Sequence, residues 1–138
     1  MAKVGENIKV RYLGDKETGW ATYLAPGLAR IANVPISDNI NLYDLVEIDD
    51  SNKKDLPLVT RVLKTVYPGK CFLYYAEEWQ FHRLRDVLTL VGAHVEGFGG
   101  PKEGNPGRIV VAYCEDIDPV MIAEGMGIKQ KTKKNGKN

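Results

Sequence analysis

Imidazole chemistry in this chain has two places to occur, His82 and His94. His94 stands two residues before Glu96. Side chains alternate along a strand, so in an extended segment these two point to the same side. Such a pair could move a proton or begin a metal site. A metal site needs a third ligand at a fixed spacing, and none stands there, so no metal is expected. His82 is surrounded by Arg83, Arg85 and Asp86. On a helix, positions 78, 82, 85 and 89 share the face opposite the apolar stripe, so His82 is expected on a solvated surface.

Nucleophilic chemistry would fall to Cys71 or Cys114, which form no CxxC pair. Each lies in an apolar run, where cysteine behaves as a small hydrophobe. Residues 97 to 107 form a run rich in Gly and Pro that also carries Lys102. A phosphate-gripping loop opens a helix, so that backbone amides and the helix N-terminus face the anion. This run opens a strand at Arg108 and lacks the Gly-Lys-Ser/Thr ending. It reads as a mobile hairpin loop able to close over a ligand or partner. No residue is assigned a catalytic role, no cofactor is implied, and the balance leans away from an enzyme. The enzyme alternative runs through His82, or through His94 with Glu96.

Recognition has better candidates. Trp20, Arg30, Asn33, Asp44 and Arg61 lie on the strands of the first half. Rigid aromatics and arginines suit binding surfaces, although the same types also form cross-strand pairs and core edges. Asn33, before Val34-Pro35, also suits the cap of a turn.

The elements that must carry these residues are legible from alternation and punctuation. Ile8–Leu13, Trp20–Tyr23, Leu28–Val34, Asp44–Ile48 and Leu58–Val66 read as short strands, with Pro26-Gly27 as a turn. Short strands parted by turns suggest a small curled sheet or barrel over residues 1–67. Tyr67-Pro68-Gly69-Lys70 has the type II turn pattern and is expected to join Leu58–Val66 to Cys71–Ala76 as a hairpin. Leu84, Val87, Leu88 and Val91 recur at helical spacing, predicting a helix over 77–91 with Trp79 and Phe81 adding apolar area and Gly92 ending it. Strands at His94–Phe98 and Arg108–Cys114 follow, then a short helix capped by Asp118 with Pro119 at its first position. Residues 68–128 thus read as β-α-β-β-α, most of a split βαβ, ferredoxin-like unit, with Leu58–Val66 filling the remaining sheet edge. The fold class is α+β, one compact domain of two halves over residues 1–128.

The chain has 138 residues and a net charge of +1, which hides an asymmetry. Lys129 to Asn138 hold five lysines and no acid, which leaves 14 basic against 18 acidic residues, a net of −4, in residues 1–128. That argues against a nucleic-acid-binding body. Residues 129–138 read as a disordered basic tail, and Lys129, Lys131, Lys133 and Lys134 are the residues through which nucleic acid could associate. Sparse cysteines, no apolar run long enough to span a bilayer and no secretion signal predict a cytoplasmic protein without a membrane partner.

Several of these segments resemble a known family. Trp20-Ala21, then Leu28 to Val34-Pro35 with Asn33, then Tyr43-Asp44-Leu45-Val46 are similar to an uncharacterised bacterial family catalogued as domain of unknown function 4265. That family shows a Trp-Ala strand, an Asn-x-Pro step and a Gly-Asp-x-Val step in this order. Gly92-Ala93 and Glu96-Gly97 match its second-half layout, and the resemblance spans about residues 17–125. This chain departs from it with Tyr43 where the family prefers Gly, with Ile36 in place of an aromatic, and with Thr65-Val66-Tyr67 in place of a Ser-Gly step. The resemblance implies a fold and no reaction. The expected function is a non-enzymatic binding module for a protein or small ligand.

Overall fold

The computed structural model describes residues 2–12, 17–37 and 39–130. It is mixed α+β, and the chain divides into two compact units, Met1–Pro68 and Gly69–Asn138. Among the described residues no helix is long and apolar enough to cross a membrane.

The first unit is a closed five-stranded barrel of β1 (Asn7–Tyr12), β2 (Thr18–Ala25), β3 (Leu28–Ile31), β4 (Leu45–Asp49) and β5 (Leu58–Lys64). Successive strands pair antiparallel, and β5 closes the barrel by running parallel to β1 at Arg11↔Leu58 and Tyr12↔Val59. Alternation places Val10, Tyr12, Ala21, Tyr23, Ile31 and Val46 inside, where they fill the lumen as a core. The turn at Pro26-Gly27 forms as the dipeptide predicts, with Gly27 at φ 78°. Register shifts between Glu47 and Ile48, and between Leu45 and Val46, bend β4 around the barrel.

The closure corrects one expectation. β5 pairs with β4 along one edge and with β1 at Leu58 and Val59 on the other, so it belongs to the barrel and not to the second sheet. The expected hairpin between Leu58–Val66 and Cys71–Ala76 does not form. Gly69 is the first residue of β6 and has no positive φ. It is glycine for a different reason: a Cβ there would strike the ring of Tyr113 across the sheet.

The second unit holds β6 (Gly69–Tyr75), α1 (Glu78–Leu90), β7 (His94–Gly99), β8 (Gly107–Tyr113) and α2 (Pro119–Gly125). Its sheet has the order β6-β8-β7, with both outer strands antiparallel to β8. β6 and β7 therefore run parallel, joined by α1, with β8 between them. α1 starts where the Gln80 amide oxygen accepts from the Ala76 and Glu77 N–H groups, at 2.8 and 3.0 Å. It stops at Gly92, whose φ of 97° is the left-handed conformation helix ends favour. Asp118 caps α2 by accepting from the Met121 N–H at 3.1 Å. Leu84 and Leu88 are fully buried against Leu73, Tyr75, Ile109 and Val111. Trp79, expected to add to that apolar face, is 54% exposed, and Val91 lies open as well.

Neither cysteine forms a disulfide. β6 and β8 are antiparallel and Cys71 pairs with Val111, so Cys71 and Cys114 lie toward the same end, three residues apart in register. Burial, helped by the charge of Asp118, pushes the Cys71 thiol up to about 11.

The residues after α2 add no further strand among those described. They add a side chain instead. Gln130 lies beside β6, where its carbonyl oxygen accepts from the Tyr74 N–H at 2.8 Å and its amide donates to the Tyr74 C=O at 2.9 Å. One glutamine makes the two hydrogen bonds that a neighbouring strand would make at that point. The tail expected from residue 129 thus begins with a docked residue, while Lys131, Lys133 and Lys134 lie outside the described residues.

Candidate functional site

The outer face of the barrel is built by the same alternation that fills its lumen. Along β2, Gly19, Ala21 and Tyr23 are buried, while Trp20 and Thr22 point outward. Along β3, Ala29 and Ile31 are buried and Arg30 is exposed. Thr22 pairs with Arg30, so Trp20 and Arg30 are diagonal neighbours on one face, with Cβ atoms roughly 7–8 Å apart.

Trp20 is 48% exposed and firmly seated. Its N–H donates to the Asn33 side-chain oxygen at 2.8 Å, and its C=O accepts from the Ala32 N–H at 2.8 Å. The Lys9 ammonium lies 5.6 Å from the indole ring centre, a cation–π contact across the β1–β2 pair. Asn33 therefore supports the Trp20 backbone at the strand end.

Asp44 corrects a second expectation. Its side chain is fully buried, out of reach of any ligand. Its Oδ2 accepts from the Asn41 N–H at 2.9 Å, and its own N–H donates to the Asn41 carbonyl at 3.1 Å. These bonds close a four-residue turn, Asn41 to Asp44, that returns the chain from β3 to β4.

Tyr43 stands at the third position of that turn with φ 66°. It alone among the described non-glycine residues has a positive φ. A turn with positive φ at its third position normally takes Gly or Asn there. Tyr43 is held in place by its neighbours: Leu42 and Asp44 are buried on either side, and the Tyr43 N–H donates to the Ile31 carbonyl at 2.9 Å. Tyr43 is 41% exposed, and its ring lies 5.9 Å from that of Tyr67. Arg30 reaches it with a long contact of 3.4 Å from Nη1 to the Tyr43 carbonyl. Arg30 thus neighbours Trp20 across the β2–β3 pair and touches the Tyr43 backbone, and Tyr43 is a residue that composition and alternation gave no reason to choose.

Arg61 is separate from this group. It grips Glu47 with both ends of its guanidinium, Nε to Oε1 at 3.1 Å and Nη2 to Oε2 at 2.9 Å. The two are paired across β4 and β5, so Arg61 is a cross-strand partner. It also borders a cavity of about 170 Å³ with Ile40, Val59 and Val62.

The histidines lie in the second unit. His94 and Glu96 do share a side of β7, with His94 Nε2 and Glu96 Oε2 2.9 Å apart. His82 is on the exposed face of α1, 3.9 Å from Glu78. Among the described residues no group of three or more His, Cys, Asp or Glu side chains converges as a metal site would require. Compared with protein-family models, with curated proteins and with solved structures, the chain matches none.

Proposed function

We propose that this protein is a non-enzymatic binding module whose barrel recognises a segment of another protein through Trp20, Arg30 and Tyr43. The observation that carries this reading is the backbone of Tyr43. A side chain in the left-handed region costs about 1–2 kcal/mol relative to glycine. Burial could repay that cost, but this residue is 41% exposed. Strain held in an exposed aromatic whose backbone an arginine touches, with an exposed tryptophan diagonal to that arginine, is the pattern of a contact surface. A protein suits the surface better than a small molecule. The cavity found on the barrel, about 170 Å³, is below the range of small-ligand pockets, roughly 300–1,000 Å³.

The same reading accommodates the bacterial family resemblance and a cytoplasmic setting. The family's Gly in its Gly-Asp-x-Val step would relax the position that Tyr43 strains, so the departure falls where a change of surface would arise. In the second unit, parallel β6 and β7 joined by α1 around β8 suit a split βαβ, ferredoxin-like half, with no fourth strand among the described residues.

The test is affinity capture from a bacterial extract, with the captured protein identified and its binding then measured on purified components. Trp20→Ala and Arg30→Ala, each folded by circular dichroism, are expected to weaken that binding at least tenfold, the loss of about 1.4 kcal/mol or more that interface anchors show. His82→Ala is expected to bind normally. Normal binding by the first two variants with loss only in His82→Ala would move the site to the second unit and refute the proposal.

A further inference from the structure

The sheet of the second unit carries its helices' core on one face and a different group of residues on the other. Leu73, Ile109 and Val111 point to the helix side. Phe72, Arg108 and Phe98 alternate with them and come together on the opposite side. The Arg108 guanidinium carbon lies 4.3 Å from the Phe98 ring centre and 5.1 Å from that of Phe72. The two rings meet edge to face, with centres 5.2 Å apart. Among the described residues Arg108 forms no ion pair; the pairs there involve Arg61, His82, Arg85 and His94. A guanidinium stacked on aromatic faces still has its N–H edge to offer, and stacking restricts the rotamers it would lose on binding.

That edge borders a cavity of about 390 Å³ lined by Phe98, Gly99, Gly100, Lys102, Asn105 and Arg108. Arg108, Lys102 and Asn105 thus give its lining two cationic residues and a carboxamide residue. Glu103 stands at the tip of the same hairpin, next to Lys102, and Glu96 is engaged with His94. The register shift between Gly97 and Gly99 turns the strand end at the cavity wall, as bulges beside binding sites do. Gly100 is not in the left-handed region, and a Cβ built on it would meet nothing within 4 Å, so its main chain faces open space at the cavity.

We propose that this cavity binds the phosphoryl group of a small phosphorylated molecule. Arg108 supplies a planar two-pronged contact, Lys102 a second charge, the Asn105 carboxamide a neutral donor, and Gly100 the room for the group to reach the main chain. A doubly charged phosphoryl group matches two cations and several donors better than a carboxylate does. The volume admits a ligand of nucleotide size. The site does not depend on the barrel surface.

The experiment is calorimetric titration of the full chain at low salt with pyrophosphate, AMP, acetate and a single-stranded RNA octamer. Pyrophosphate and AMP are expected to bind, and acetate at least tenfold more weakly. Arg108→Lys keeps the charge but loses the fork and the stacking, and is expected to weaken pyrophosphate at least tenfold. Gly100→Ala is expected to melt like the wild type and still weaken pyrophosphate several-fold, which separates ligand contact from folding. Absence of pyrophosphate and AMP binding, equal affinity in wild type and Arg108→Lys, acetate binding as tight as pyrophosphate, or binding of the RNA alone would each overturn the proposal.

Discussion

Replacing Gln130 by alanine removes two hydrogen bonds from the outer edge of β6 while leaving every strand intact. The Tyr74 N–H and C=O lose partners at 2.8 and 2.9 Å. Each such bond contributes a net of about 0.5–1.5 kcal/mol, so the loss comes to roughly 1–3 kcal/mol. The site is only part-buried and water can re-enter, which favours the lower half of that range. For a unit of about 70 residues, a urea slope near 1 kcal/mol/M turns this into a midpoint lowered by about 1–2 M. The chain contains two tryptophans, Trp20 in the first unit and Trp79 in the second. Fluorescence of a Trp20→Phe background therefore reports unfolding of the second unit alone. Gln130→Ala is expected to shift that transition, while the transition followed through Trp20 in a Trp79→Phe background stays in place. Gln130→Glu keeps an acceptor for the Tyr74 N–H but sets a carboxylate against the Tyr74 carbonyl, so it is expected to be no better than alanine. A midpoint unchanged within about 0.3 M for Gln130→Ala would show that water serves Tyr74 equally well, and would refute the assignment of a structural role to this residue.

Leu84 is fully buried beneath α1, so Leu84→Ala is expected to cost about 2–5 kcal/mol, measured by denaturation in the Trp20→Phe background. The Cys71 thiol, held up near 11 against an ordinary 9.0, carries about a hundredfold less thiolate at pH 8 than an unperturbed cysteine, so alkylation by iodoacetamide in the native state is expected to be slower by about that factor. The neutral thiol favours the fold fully below pH 9; the unfolded chain ionises first as pH rises from 9 to 11, so stability is expected to fall across that window, and Cys71→Ala should flatten the fall. Tyr43→Gly is expected to leave the melting temperature unchanged or raised, because relief of the φ 66° strain offsets the lost ring contact with Tyr67, and to weaken partner binding at least tenfold; a large drop in melting temperature would show that the ring is structural.

Local signals decided much of this protein. Alternation along Trp20–Tyr23 and Leu28–Ile31 separates lumen from surface, because the strand period of two holds wherever one face is buried. Pro26-Gly27, Gly92 and Asp118-Pro119 fixed a turn, a helix end and a helix start, since each acts through its own backbone geometry. The spacing of His94 and Glu96 placed them on one side of a strand, where they meet. Tertiary structure decided what alternation cannot encode, the identity of each strand's neighbours. The run Leu58–Lys64 is compatible with either sheet, and closure against β1, forty-odd residues away, assigned it to the barrel and turned Pro68-Gly69 from a hairpin into a link. Nonlocal pairing of β6 with β8 likewise brought Cys71 and Cys114 toward one end of the sheet. Asp44, a charged residue that reads as surface, is buried because a turn needs its carboxylate, and Tyr43 is strained because that turn leaves its third position no other backbone. Phe72, Phe98 and Arg108 come from three separate strands, so their contact exists only once β8 lies between β6 and β7.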